Sequence, residues 1–287
     1  MARAVLTFTI LGASGFVGRA LVSALQTQGH IVHPVTRAAL PSLLQSRSDA
    51  GHVIDCIGLT ADFRSRPHDT AEAHVGVTAG CLAALRCNSF LFLSSTRVYA
   101  RAATTHEDSA VAAVPHDPSD LYNLTKLAGE ALCLADPRPT VRVARLSNVY
   151  GPGMGAENFL GQLLEEGAAT GRVELRQSAE STKDYVSLAE VLRVLPLIAA
   201  TGQHRIYNVA SGRNFPHSEI AAGLSSHFGW DCRFAAGAPT VAFPPIDTSR
   251  LAAEFGPALS NLSEDLRTLL PSKTEVPCSP STRPPGA

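Results

Sequence analysis

The chain has 287 residues, 45% of them hydrophobic and 17% charged, with a formal net charge of -1. That length suits one large α/β domain or two unequal lobes, and the near-neutral balance lacks the positive footprint of a nucleic-acid or membrane-surface binder. No apolar run reaches the roughly 20 residues of a membrane span, and the apolar start runs into a Gly-rich turn with no cleavage-type site, so a soluble, cytoplasmic protein is expected.

In chain order, residues 5–11 (VLTFTIL) read as a first strand. GASGFVG follows and opens a helix with Phe16, Val17, Ala20, Leu21, Ala24 and Leu25 on one face and Gly29 as its stop. Residues 31–35, 52–58 and 89–95 read as further strands, and residues 70–86 as a helix between the last two. Residues 120–134 form a predicted helix and residues 141–147 a strand entered from the turn-rich DPRP. Alternating strands and helices predict an α/β fold: a doubly wound parallel sheet with helices on both faces. From Gly151 the texture changes, with GPGMGAEN as a Gly-rich loop and shorter segments after it. Residues 151–270 are therefore expected to form mainly a smaller lobe over the C-terminal edge of the sheet, with segments near 183–200 returning to the first domain of residues 1–150. Residues 271–287, rich in Pro and Ser, read as a disordered tail.

Gly12, Gly15 and Gly18 stand between a strand and an amphipathic helix. Glycine there permits a tight turn, close approach of backbone to a pyrophosphate, and close helix packing, while the helix N-terminus faces the anion. An NAD site usually presents an acid to the ribose hydroxyl at the end of the second strand. Here Thr36 and Arg37 occupy that place, and a guanidinium suits a 2'-phosphate, so NADP is favoured over NAD.

Tyr122 and Lys126 are four residues apart and share a helix face. A phenol with a pKa of about 10 needs a neighbouring cation to exchange protons at neutral pH. Ser95, at the end of the fourth strand, could hold a substrate oxygen beside Tyr122. The six cysteines and ten histidines are scattered with no metal-ligand spacing, so free thiols in a reducing compartment and no metal site are expected.

GASGFVG, SSTRVY, YNLTKLAGE, RLSNVYGPG, KDYVSLAEV and YNVASG occur in the order seen in the extended short-chain dehydrogenase/reductase family. The chain resembles the nucleotide-sugar epimerase/dehydratase branch of that family over roughly residues 4–255. The resemblance implies a dinucleotide in an N-terminal Rossmann lobe, a C-terminal substrate lobe, and a homodimer formed through the Tyr122 helix and its neighbour. By motif position it puts the catalytic triad on Ser95, Tyr122 and Lys126, with Tyr122 and Lys126 also touching cofactor. It places Phe16 and Val17 at the pyrophosphate, Gly58 and Leu59 along the cofactor, and Asn148 near nicotinamide and substrate. Asn158 either contacts a substrate phosphate or caps a turn.

Two departures bear on the reaction. Thr96 and Arg97 stand where dehydratases of this branch carry acids, so dehydration is disfavoured and Thr96 is left as a substrate contact. No Arg precedes the Asp of PTVAFPPIDTSRL, and Lys183 replaces the more usual Arg before the Asp of KDYV, which weakens the expectation of a diphosphate clamp. Three readings follow: NADPH-dependent reduction of a sugar-like ketone, a nucleotide-sugar 4-epimerase with bound NAD, and an idle dinucleotide-binding regulator. Retention of all three triad positions disfavours the last.

Overall fold

Short apolar runs that cannot bury themselves alone are stacked here into one sheet. The computed structural model describes residues 4–46, 48–59 and 62–269, so the expected tail at 271–287 lies outside the described residues. Strands β1 (Thr7–Leu11), β2 (Ile31–Val35), β3 (His52–Asp55), β4 (Ser89–Ser95) and β5 (Val141–Leu146) come first. Next, β6 (Asn148–Tyr150), β7 (Arg172–Leu175) and β8 (Thr182–Ser187) leave the sheet, and β9 (Ile206–Val209) returns to it. β10 (Asn214–Pro216) and β11 (Asp231–Phe234) lie outside it.

Among the described residues the main sheet has six parallel strands in the order β2-β1-β3-β4-β5-β9. This is the expected Rossmann-type doubly wound arrangement. Strands β4 and β5 are apolar along most of their length and buried, as strands covered on both faces must be. Pro34 is tolerated in β2 because that strand is an edge and needs one fewer ladder donor.

The helices are α1 (Phe16–Thr27), α2 (Leu40–Gln45), α3 (Pro67–Ala71), α4 (Val77–Ala84), α5 (Leu121–Ala135), α6 (Phe159–Thr170), α7 (Leu188–Thr201), α8 (His217–Phe228), α9 (Ser249–Phe255) and α10 (Leu262–Asp265). Leu21 and Leu25 of α1 share one core with Val191, Val194 and Ile198 of α7 and with Ile10 and Leu91 of the sheet. Leu40, Cys81 and Cys133, from α2, α4 and α5, pack with Val53, Phe90 and Phe92 in another. A further core joins Leu160 and Leu164 of α6, Ile220 and Leu224 of α8, and Val173, Tyr185 and Phe215 of the small sheets β10-β8-β6 and β11-β7.

Several boundaries differ from the sequence reading for local reasons. The first strand starts at Thr7 rather than residue 5, and Val5 is exposed. The third ends at Asp55 because its carboxylate Oδ1 accepts the Ile57 N–H at 3.0 Å, turning the chain out of the ladder. The helix expected at 70–86 starts three residues earlier, where Pro67 occupies its first turn, and is interrupted by a π-helical segment, Glu72–Gly76. The return of β9 to the main sheet was not anticipated.

Candidate active site

The C-terminal ends of the sheet strands open into a cleft of about 550 Å³. It brings together Gly15, Phe16, Val17, Gly18, Gly58, Ser95, Tyr122, Lys126, Asn148 and Asn158 from six separate stretches of chain. Ligand sites of open α/β sheets form at this edge, and this volume falls within the usual range of small-molecule pockets.

The glycine turn is set by two contacts. Gly12 has φ 71° with the Cys56 carbonyl against it, and a Cβ on Gly18 would stand 2.3 Å from the Gly12 carbonyl oxygen. Only glycine fits both places, so α1 begins tight against β1. The first residue of α1 faces the cleft, no side chain caps the helix, and no acid lies in its first turn. Its open N–H groups and dipole suit a pyrophosphate, so the chain's own backbone fits a dinucleotide here.

Beside this turn stand the three candidate catalytic groups. Ser95 and Tyr122 line the cleft together, and the Ser95 hydroxyl accepts the Arg97 N–H at 3.2 Å. Burial raises the phenol above its ordinary pKa, while Ser95 and the Arg97 guanidinium pull it back. The Arg97 guanidinium carbon is 5.8 Å from the Tyr122 ring centre and Lys126 Nζ is 6.0 Å from it. Lys126 Nζ donates to the Leu93 carbonyl at 2.8 Å. Burial brings its pKa down to about 8, with attraction from Asp55 the largest opposing influence. Asp55 is itself raised to about 6 by burial.

Sequence reasoning missed His74, which the π-helical segment turns inward beneath Tyr122, with its ring edge-on at 5.3 Å. Its Nε2 accepts the Leu59 N–H at 3.2 Å, which leaves the proton on Nδ1 to be donated to Thr125 Oγ1 at 2.9 Å. Thr125 in turn donates to the Tyr122 carbonyl at 3.0 Å. Burial lowers His74 to about 2, so the ring is neutral and ties the loop at Gly58 and Leu59 to α5. Its only sequence signal was a histidine inside an apolar helical run.

The remaining predicted residues divide. Asn158 accepts the Gly161 N–H at 2.7 Å and so caps α6 while lining the cleft. Asn148 Nδ2 donates to the Asp184 carbonyl at 2.7 Å. Thr96 is buried and faces a second cavity of about 380 Å³, which shares Arg97, Asn148 and Lys183 with the cleft. Thr36 and Arg37 are exposed just beyond β2 and do not line the cleft. Among the described residues no group of three His, Cys, Asp or Glu side chains is placed to hold a metal ion.

Residues 8–210 match the NAD dependent epimerase/dehydratase family. The chain belongs to that family. Among sequence relatives of this family member, dTDP-L-rhamnose 4-epimerase of Burkholderia thailandensis (strain ATCC 700388 / DSM 13276 / CCUG 48851 / CIP 106301 / E264) is 27% identical over 157 residues. That match spans 50% of this chain and 41% of the epimerase, less than half of its length. dTDP-4-dehydro-6-deoxy-D-allose reductase of Streptomyces bikiniensis is 22% identical over 257 residues, 75% of this chain and 79% of the reductase. Among solved structures, RMD from Pseudomonas aeruginosa complexed with NADPH superposes with a TM-score of 0.75 at 22% identity. The superposition covers 92% of this chain and 97% of that one. Membership of the family makes the chain an NAD(P)-dependent enzyme of the extended short-chain dehydrogenase/reductase type.

Proposed function

We propose that this enzyme reduces a ketone on a sugar-like substrate, using NADPH. The observation that carries the reading is the convergence of Ser95, Tyr122 and Lys126 on the cleft that also receives the open N-terminus of α1. When bound, the nicotinamide supplies the hydride. Phe16 and Val17 hold the pyrophosphate through their amides, with Gly12, Gly15 and Gly18 giving it room. Gly58 and Leu59 line the cofactor, and Lys126 holds its ribose. Thr36 and Arg37 meet a 2'-phosphate, and Arg37 has no hydrogen bond or ion pair among the described residues that would compete. Residues 1–150 act as the cofactor domain and 151–270 mainly as the substrate lobe, with α7 and β9 rejoining the first.

Ser95 and Tyr122 grip the substrate oxygen, with Thr96, Asn148 and Asn158 along the rest of the molecule. Because burial raises the Tyr122 phenol, it is protonated at neutral pH, which is the state a proton donor needs in reduction. The longer of the two sequence matches, over 75% of this chain, is to a reductase and supports the same direction. Its free cysteines suit a reducing cytoplasm, and a homodimer would pack through α5, where Leu134 is an exposed apolar side chain.

A second reading, a nucleotide-sugar 4-epimerase with retained NAD, is favoured by the match to dTDP-L-rhamnose 4-epimerase. Titration of the purified chain with NADPH and NADH separates the two. Tighter NADPH binding is expected, and an Arg37→Ala variant should lose that preference. Tighter NADH binding would overturn the reductase reading.

A further inference from the structure

The second cavity carries an unusual electrostatic load. Arg64, Arg97 and Lys183 line it together, coming from the loop after β3, the turn after β4, and β8. Arg64 donates to Ser119 Oγ at 2.9 Å and Arg97 to the Ser119 carbonyl at 3.2 Å, so both guanidinium groups lean on one residue. Both also lie over the Phe63 ring, at 4.4 and 5.3 Å from its centre. None of the three cations has an ion pair among the described residues.

The nearby acids are already engaged. Asp184 lines the cavity, but its carboxylate accepts the Ser211 N–H at 3.0 Å and the Ser211 hydroxyl at 2.9 Å. Asp117 and Asp120 are both paired with Arg101. The like charges strain one another: burial first, then Arg64, lowers Arg97, while burial and Arg97 bring Lys183 down to about 8. Gln177 Oε1, on the same wall, is buried with no hydrogen-bond partner. A cavity with half-buried Arg97 and Lys183 on its walls, the exposed Arg64 at its rim and an unpartnered acceptor, none of the three cations being ion-paired among the described residues, is built for a ligand that brings negative charge and a hydroxyl.

We propose that the substrate carries an oxyanion, a carboxylate or a phosphate ester, on the part of its sugar that projects past the reacting carbon into this cavity, where Arg64, Arg97 and Lys183 hold it. This rests on the reductase reading only for the position of the reacting carbon. Arg97 and Lys183 line both spaces, so the anion lies next to the site of proton transfer. The arrangement places an anion clamp where dehydration would require a carboxylate, and an Arg fork suits either oxyanion geometry.

The test is calorimetric titration of the full chain, saturated with oxidised cofactor, with D-glucuronate, glucose 6-phosphate and glucose. At least one anion should bind ten-fold or more tightly than glucose, equivalent to about 1.4 kcal/mol. Preference for glucuronate identifies the carboxylate source and preference for glucose 6-phosphate the phosphate source. Arg64→Gln should reduce that preference several-fold while leaving cofactor affinity unchanged. Equal binding of all three sugars, or a preference that survives the Arg64→Gln,Arg97→Gln pair, would overturn the proposal. Cofactor affinity, measured separately, shows whether the dinucleotide reading stands when this one fails.

Discussion

Replacing His74 with Gln should flatten the acid side of the stability profile. In the folded chain His74 is fully buried and neutral, its pKa brought down to about 2 by burial and then by Lys126, whereas an unfolded histidine titrates at about 6.5. Below that value the unfolded state binds a proton that the folded state refuses. Stability present above pH 6.5 is therefore lost as pH falls, by roughly 2 kcal/mol on reaching about pH 5. Gln keeps an acceptor for the Leu59 N–H but gives up the bond to Thr125 and the edge contact with Tyr122, together costing about 2 kcal/mol at neutral pH. Urea unfolding followed through the single tryptophan, Trp230, reads both effects. The wild type should be the more stable protein at about pH 7.5, and the gap should nearly close at about pH 5. Because Asp55, His52 and His217 titrate in both proteins, the difference isolates His74. An equal pH slope in the two proteins would refute the neutral, doubly bonded imidazole.

Three other outcomes can be checked on the same preparations. Gly18→Ala puts a Cβ 2.3 Å from the Gly12 carbonyl oxygen, so it should cost about 1–3 kcal/mol in urea unfolding and weaken cofactor binding at least ten-fold. Asp55→Asn removes the attraction that holds the Lys126 proton; the Lys126 pKa should drop below about 8, moving the alkaline limb of the pH–rate profile toward neutrality. Because Asp55 has a folded pKa of about 6, above its unfolded value, the wild type loses stability as pH rises through about 4 to 6, and the Asn variant should lack that roughly 3 kcal/mol decline. Glu130→Gln leaves Arg145 buried without its 2.6 Å partner and should cost about 3 kcal/mol, most of it recovered in a Glu130→Leu,Arg145→Met double variant.

What could be read from the sequence was what local spacing encodes. The glycine turn is contiguous, Tyr122 and Lys126 lie one helical turn apart, and Ser95 closes the strand whose centre is the apolar run 90–93, so their meeting followed from strand-to-helix order alone. The sequence around Asn158 suits either a cap or a substrate contact, and its bond to the Gly161 N–H shows the cap. Elements that depend on distant chain were hidden. Strand β9 is a four-residue run whose place beside β5 is set by packing, and His74 acquires its bonds only because a π turn rotates it toward Leu59 and Thr125. The cations of the second cavity come from three separate segments, and no spacing rule joins them. Asp55, by contrast, left a visible trace as the lone charge in an apolar strand.

The most direct test of the account measures nicotinamide oxidation by its near-ultraviolet absorbance, with NADPH in excess and a 4-keto sugar nucleotide as substrate, in wild type and Tyr122→Phe. The account predicts one NADPH consumed per product formed, with the rate falling at least a hundred-fold in the variant while NADPH affinity stays the same. Product formed without net NADPH loss, or an undiminished rate in Tyr122→Phe, would contradict it.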